Sequence, residues 1–282
     1  MVLRRYHCGG YQRLTKNYEV LPTLQEIREA HGWKRDYEKY LPLSRYIFRP
    51  LGFLLTWVAI RTGWTTESVA WLSGIVGIFG CLCSMSGRPS LLPLGIGLLL
   101  FFNLLDCVDG SIARTMKTEN PYGQFLDSVC GGIVDLAFWG VIGIMAFRTP
   151  YILTYQNPLG FGAAFWLAVG SATCFLSIHL VFLENIFDRS LRKDWNKLQM
   201  SDGVVGNSTF SSENAVDRRY MLRMINNNLR VRETHYLLLI IAYLTRAVDL
   251  LLGAYLIYYT FQNTISLIVY SKRGRQIRSF YS

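Results

Sequence analysis

Residues 104–135 read LLDCVDGSIARTMKTENPYGQFLDSVCGGIVD, and they place carboxylates and an arginine within some of the most apolar sequence of the chain. An ionisable side chain inside a membrane segment costs several kcal/mol unless a partner offsets it, so its first interpretation is a functional site. Whether this stretch lies in a membrane segment therefore decides both the fold and the search for function.

The composition is typical of an integral membrane protein. Of the 282 residues, 51% are apolar and only 17% are charged. A helix needs about 20 predominantly apolar residues to cross the hydrocarbon core. Long apolar runs occur at 65–87, 90–106, 123–147 and 160–187, and the run at 236–270 is long enough for a hairpin of two helices, about 233–245 and 250–270. The sequence predicts an all-α membrane protein with six transmembrane helices.

The distribution of basic residues predicts the orientation of these helices. The net charge is +10, and with a cytosolic N-terminus the outer loops hold only Arg88, Arg148 and Arg246. Cytosolic loops of membrane proteins carry the excess of Lys and Arg. Both termini are therefore predicted to be cytosolic. No basic stripe with interleaved aromatic residues occurs on a soluble fold, which argues against a nucleic-acid partner.

The polar segments divide the rest of the chain. Residues 1–43 are predicted to form a cytosolic N-terminal cap, and residues 44–64 an amphipathic helix in the headgroup plane, because the apolar core between Arg49 and Arg61 is too short to cross. A short first span is the alternative for that segment. Residues 65–270 would form the six-helix domain with a cytosolic loop at 188–232, and residues 271–282 a basic cytosolic tail.

Three carboxylates are predicted to converge at the cytosolic edge of the membrane. Asp106 and Asp109 are three residues apart and share a helix face, and Asp127 lies one turn inside the next helix. Carboxylates this close repel each other unless a cation joins them, and oxygen ligands without nearby His or Cys are typical of Mg²⁺ or Mn²⁺. The sequence therefore predicts a site for one or two divalent ions.

Small residues and an arginine accompany the carboxylates. Gly110, Ala113 and Gly123 would let a ligand approach the backbone closely, and Arg114 offers a planar fork of donors that matches phosphate. Taken together with the metal ligands, these residues indicate a substrate that contains a diphosphate. Each residue alone has an ordinary structural explanation, such as a helix-end ion pair or a packing contact.

This stretch resembles the signature of the CDP-alcohol phosphotransferases, D-x2-D-G-x2-A-R-x8-G-x3-D-x3-D, at the seven positions from Asp106 to Asp127 that are named above. Six spans behind a cytosolic interfacial helix are also similar to that family, over roughly residues 43–270. The resemblance implies a transferase of phospholipid or related lipid biosynthesis. It would move a substituted phosphate from a CDP-linked alcohol to an acceptor hydroxyl and release CMP.

The same resemblance implies roles for the matching residues. Asp106, Asp109 and Asp127 would hold the divalent metal, with Asp109 and Asp127 serving catalysis. Gly110, Ala113, Arg114 and Gly123 would bind nucleotide and phosphate. At least one substrate would be a lipid, and a homodimer is one alternative for the assembly. The stretch TTESVAW at 65–71 departs from the family's usual opening of the first span, so details of nucleotide recognition are expected to differ.

This chain departs from the signature at its last position. There Gly131 replaces the aspartate that the family assigns to the metal site and to general-base catalysis. Asp135 would lie about 12 Å beyond Asp127 on a helix, so it is a weak candidate for the base. Glu184, His179 and Asp188 on a later helix are the other candidates. Metal coordination can itself lower the pKa of an acceptor hydroxyl.

Two alternative functions remain from the sequence. A catalytically silent relative would bind nucleotide or lipid as a partner subunit because Gly131 removed the base. An ion-coupled transporter is less compatible, because transporters place such carboxylates near the bilayer midplane and often in inverted repeats.

Overall fold

The computed structural model describes residues 21–32, 40–149, 151–153, 160, 162–201, 221 and 224–281. Within these ranges the secondary structure is helical and contains no strand. The helices are α1 (Leu24–Glu29), α2 (Arg49–Arg61), α3 (Thr66–Met85), α4 (Leu91–Thr115), α5 (Pro121–Arg148), α6 (Phe165–Ser190), α7 (Arg192–Ser201), α8 (Arg232–Leu244) and α9 (Val248–Tyr281). Residues 1–20 and 33–39 of the predicted cap, and residues 202–220 of the predicted loop, lie outside the described residues.

Four helices, α3 to α6, are long and apolar enough to cross a membrane. They coincide with the four single spans predicted from the sequence and indicate a multi-pass membrane protein. The hairpin of α8 and α9 also has its break where predicted, at residues 245–247, but its crossing of the membrane stays a prediction. Helix α9 continues to Tyr281, so most of the predicted basic tail is an extension of this helix.

Local sequence signals fix where α3 and α5 begin. Thr65 and Ser68 form a reciprocal capping box at the start of α3, which satisfies two backbone N–H groups that have no partner within the helix. The side chain of Asn120 accepts from the N–H of Gly123 at 2.8 Å, and Pro121 occupies the first turn of α5. Asn120 and Pro121 therefore fix where α5 begins and where Asp127 lies on it.

Glycines bring the apolar helices close together. A Cβ on Gly143 of α5 would lie 2.8 Å from the Cα of Gly170 on α6, and a Cβ on Gly170 would lie 2.7 Å from the Cα of Gly143. Similarly, a Cβ on Gly95 of α4 would overlap the Ser84 hydroxyl of α3. Small residues are common at such contacts because membrane helices associate largely through van der Waals packing.

The segment predicted to be interfacial is helical. A π-helical turn, Ser44–Phe48, leads into α2. Gly52, Thr56 and Ile60 of α2 are buried, and a Cβ on Gly52 would lie 3.4 Å from Cys107 Cβ on α4. Leu51 and Leu54 are exposed on another side of the helix. The helix thus has an apolar surface beyond its contact with α4, while its position in the headgroup plane stays a prediction.

An aromatic cluster holds the α8–α9 hairpin against the bundle. Trp139 of α5 lies 4.3 Å from the Tyr255 ring and 5.1 Å from the His235 ring, between ring centroids. Phe138 packs edge-on against Tyr236, which is 1% exposed. These contacts fix α8 beside α5, and they place the first residue of α8, Arg232, next to the carboxylates.

Candidate active site

The three predicted carboxylates come together between α4 and α5. Asp109 is 3% exposed, and its carboxylate accepts a short hydrogen bond from the N–H of Gly110. Its charge interacts with those of Asp106 and Asp127, and the carboxyl groups of Asp106 and Asp127 are close enough to interact directly. The spacing on α4 and the start of α5 at Pro121 together produce this cluster.

An arginine from α8 joins the cluster. Arg232 Nη1 lies 2.8 Å from Asp106 Oδ2, and its Nε lies 2.9 Å and 3.1 Å from the two oxygens of Asp135. The guanidinium also lies over the ring of Phe102, at 5.4 Å from the ring centroid. Asp135 thus belongs to the same charge network as Asp106, although it lies two turns beyond Asp127 on α5.

The signature arginine is held by a histidine from the N-terminal segment. Arg114 Nε donates to His31 Nε2 at 3.0 Å, and His31 Nδ1 lies 3.1 Å from the Ile27 carbonyl oxygen. A carbonyl can only accept and the arginine Nε–H can only donate, so His31 carries its proton on Nδ1 and is neutral in this arrangement. The imidazole therefore fixes the direction of the Arg114 side chain.

The absence of a side chain at Gly110 leaves space for the Arg114 guanidinium. A Cβ at Gly110 would lie 3.0 Å from Arg114 Nη2 and 3.2 Å from Nη1. The terminal nitrogens therefore lie directly over the backbone one turn earlier on α4. Both residues line a cavity of about 800 Å³ beside the carboxylates.

The lining of the cavity divides into charged and apolar side chains. Its charged lining includes Asp106, Asp109, Asp127, Asp135, Arg49, Arg114, Arg230 and Arg232. Its apolar lining includes Leu136 of α5 and Ile178, Val181 and Phe182 of α6, all of which are also exposed on the outer surface of the helices. A ligand with a charged head and a hydrocarbon tail matches this division.

The donor chemistry of the cluster fits a hard divalent cation. Asp106, Asp109 and Asp127 supply oxygen ligands of the kind that Mg²⁺ and Mn²⁺ prefer. Their mutual repulsion provides a reason to bind a cation. Among the residues that the structure describes, no three His, Cys, Asp or Glu side chains form a preorganised metal site. Asp106 forms an ion pair with Arg232.

The remaining predicted site residues differ in their positions. Ala113 is buried within the helix packing, and Gly123 is fixed at the start of α5 by Asn120. Glu184 is bound by Arg230, with Oε1 2.6 Å from Nη2. His179 Nδ1 lies 2.7 Å from the side-chain oxygen of Asn263 on α9. The structure thus gives Glu184 and His179 partners of their own, and only the partner of Glu184 lines the cavity.

Sequence reasoning missed two residues that the structure brings to the site. Arg232 is the last residue of the cytosolic loop predicted at 188–232, although an arginine at the start of an apolar helix is itself a signal. His31 had no local signal, because its contact with Arg114 spans 83 positions of sequence. Both lie outside the signature stretch, and tertiary packing alone brings them to it.

Comparison with known proteins agrees with the signature. Residues 68–173 match the family model described as CDP-alcohol phosphatidyltransferase. Phosphatidylinositol phosphate synthases of Mycobacterium bovis (strain BCG / Pasteur 1173P2) and of two Mycobacterium tuberculosis strains, CDC 1551 and H37Rv, are each 30% identical to the chain over 112 residues. The aligned part is 38% of this chain, and it spans about half of those relatives, 48% of their length.

Proposed function

We propose that this chain, whose residues 68–173 match the CDP-alcohol phosphatidyltransferase family model, is a membrane transferase that moves a substituted phosphate from a CDP-linked alcohol to an acceptor hydroxyl. The observation that carries the proposal is the single cavity that Asp106, Asp109, Asp127 and Arg114 line together. These four residues are signature positions, and the matched family is named for this activity.

The reaction exchanges one phosphorus–oxygen bond for another. The acceptor hydroxyl oxygen bonds to the phosphorus that carries the alcohol, the bond from that phosphorus to the CMP oxygen breaks, and the hydroxyl proton is released to water. A bound Mg²⁺ or Mn²⁺ would supply positive charge for the diphosphate and for the leaving CMP. Asp106, Asp109 and Asp127 would hold that ion.

The chain's own residues orient the diphosphate. Arg114, fixed by His31, presents its terminal nitrogens to the cavity beside Gly110, where they can donate to phosphate oxygens in the forked geometry typical of arginine. Ion pairs with carboxylates fix Arg230 and Arg232 at the same cavity. Binding thus aligns the scissile bond next to the carboxylate cluster.

We also propose that at least one substrate is a lipid. Leu136, Val181 and Phe182 connect the cavity to the apolar outer surface of α5 and α6, so a hydrocarbon chain could remain in the bilayer while the headgroup reaches the carboxylates. The relatives' name, phosphatidylinositol phosphate synthase, supports a lipid donor such as CDP-diacylglycerol. The acceptor would be an alcohol, and the product a phospholipid.

The test is release of CMP by the purified chain in detergent. We expect CMP when Mg²⁺ or Mn²⁺, CDP-diacylglycerol and an acceptor from a panel that includes inositol phosphate are present together. Asp109→Asn and Asp127→Asn should lower the rate at least a hundredfold, about 2.7 kcal/mol on the barrier. The control Asp188→Asn, which removes a surface ion pair with Arg192, should retain activity.

A specific observation also favours a second candidate function. Because Gly131 lacks the last signature carboxylate, the chain could bind a CDP-alcohol without turning it over. CMP release from none of the CDP-linked donors, combined with tight binding of CDP, would establish this silent relative and refute the transferase.

A further inference from the structure

Arg232 lies where the side chain missing at position 131 would be. A Cβ built on Gly131 would lie 2.9 Å from Arg232 Nη2 and 3.4 Å from Asp106 Oδ1. A carboxylate at this position would therefore occupy the same space as the guanidinium. The absence of a side chain at Gly131 therefore leaves the space that the Arg232 guanidinium occupies.

The guanidinium is fixed from three sides. Asp106 engages Nη1 at 2.8 Å, Asp135 engages Nε at 2.9 Å, and the fully buried ring of Phe102 lies beneath the group. A planar guanidinium held by two carboxylates and an aromatic face loses little additional freedom when a ligand binds. Arg232 is thus a preorganised positive charge within the carboxylate cluster.

The change in net charge at this position equals the charge of one divalent ion. Compared with a site that has a carboxylate at position 131 and no arginine beside it, this site lacks one negative charge and has gained one positive charge. The difference is two positive units, the charge of one Mg²⁺ or Mn²⁺. Since close carboxylates bind cations to offset their mutual repulsion, a built-in cation removes the reason to bind a second ion.

We propose that Arg232 replaces one divalent cation in this chain, so that the site binds a single divalent ion. The inference rests on the proposed function, because that proposal assigns the metal to Asp106, Asp109 and Asp127. Arg232 then acts as a positioning residue, because it holds Asp106 and offsets its negative charge. The single ion would bind the diphosphate of the substrate.

The experiment counts the metal ions bound to the full chain in detergent. Titration with Mn²⁺, followed by calorimetry and by electron paramagnetic resonance of the free ion, should give one ion per wild-type chain. Gly131→Asp combined with Arg232→Gln supplies the missing carboxylate and removes the cation, so this variant should bind two. Gly131→Asp alone should still bind one, because the new carboxylate would pair with Arg232.

Matched controls separate this effect from a general change in charge. Gly132→Asp adds a carboxylate one residue further, where a Cβ would have open space, and it should leave the count at one. Arg230→Gln removes an arginine of the same cavity that pairs with Glu184 instead, and it should also leave the count at one. A thermal unfolding transition in the same detergent would verify that each variant is folded.

Several outcomes would overturn the inference. Two Mn²⁺ per wild-type chain would refute it, as would no bound Mn²⁺, or a folded double variant that still binds one. The proposed function fails by a different result: one bound Mn²⁺ without CMP release from any donor would refute the transferase and leave the single-ion inference standing. Two bound ions with CMP release would refute only the inference.

Discussion

At the residue scale, Gly110 is the signature residue whose identity has the clearest steric explanation. The Arg114 guanidinium lies so close to its Cα that a Cβ would meet both terminal nitrogens within 3.2 Å. Contacts this short force the neighbouring atoms to move. The glycine is therefore needed for the arginine's position, and not for a backbone conformation reserved to glycine.

Gly110→Ala should weaken binding of the CDP-linked donor about tenfold, an effect of ~1.4 kcal/mol. The added methyl group shifts the Arg114 guanidinium away from its place over Gly110, and hydrogen bonds between charged groups typically contribute about 1.5–3 kcal/mol. Binding of CDP measured by calorimetry would test this.

Gly97→Ala on the same helix is the matched control, because a Cβ there meets nothing within 4 Å. It should bind CDP like the wild type. Equal affinities for Gly110→Ala and Gly97→Ala would contradict the assigned role of Arg114.

At the element scale, the short helix α1 reaches a site that lies in another part of the sequence. Thr23 and Glu26 form a capping box that begins the helix, and the backbone hydrogen bond from Thr23 lowers the pKa of the Glu26 carboxyl. Two residues beyond the end of α1, the His31 side chain is 3% exposed and accepts from Arg114. A cap on a surface helix thus helps to position a side chain of the cavity.

His31→Ala should raise the KM for the CDP-linked donor several-fold and change kcat much less. The variant removes the acceptor that directs Arg114 but leaves Asp106, Asp109 and Asp127 in place. Steady-state kinetics with a saturating acceptor would measure both constants. Gln25→Ala on the exposed side of α1 should change neither, and a fall in kcat alone in His31→Ala would refute the positioning role.

The pair of α5 and α6 depends on a different element-scale feature, the contact between Gly143 and Gly170. Each Cα occupies the space of the other residue's absent Cβ. Gly143→Ala should therefore destabilise the protein by about 1–3 kcal/mol, the usual cost of overpacking. The midpoint of thermal unfolding in detergent would fall.

Gly140→Ala, one turn earlier on α5, is the control for helix propensity, because a Cβ there has open space. It should leave the midpoint unchanged or raise it, since alanine favours a helix by up to about 1 kcal/mol over glycine. A midpoint for Gly143→Ala at or above that of Gly140→Ala would show that the two helices can separate at no cost.

At the scale of the whole molecule, the two ends of the bundle carry different charge. At the end away from the cavity lie Arg88, Arg148 and Arg246. Arg148 donates to the Ser86 carbonyl at 3.1 Å, and the Arg246 carbonyl accepts from Ile152 N–H at 3.0 Å. At the cavity end lie Arg230, Arg232 and the basic residues of α7 and of the last turns of α9. This asymmetry supports the prediction from the sequence that the carboxylates lie at the cytosolic edge of the membrane.

We expect Glu119→Cys and Arg88→Cys to be labelled from opposite sides of the membrane. The two positions lie at opposite ends of the antiparallel helices α3 to α5, and both are exposed. Labelling of sealed vesicles with an impermeant maleimide, in a background without the native cysteines, would measure access. The control Lys193→Cys on α7 should follow Glu119→Cys, and access to Arg88→Cys from the cytosolic side would reverse the proposed orientation.

The sequence by itself determined the four apolar helices and the carboxylates that α4 and α5 contribute. Hydrophobic length sets which helices can span a bilayer, and residues three apart on one helix must share a face. The break of the last apolar run at residues 245–247 was equally local, because polar and charged residues interrupt the run there. Asp106, Asp109 and Asp127 therefore needed no tertiary information beyond the pairing of two neighbouring helices.

Only the tertiary structure decided what surrounds those carboxylates. Arg232 is 126 residues from Asp106 in sequence, and the packing of Trp139 against Tyr255 and His235 brings its helix to the site. Helix spacing gave Asp135 a distance from Asp127 along one axis, but it could not show that a guanidinium from a third helix joins it to Asp106. Such contacts depend on which helix faces pack together, and periodicity within one segment carries no information about that choice.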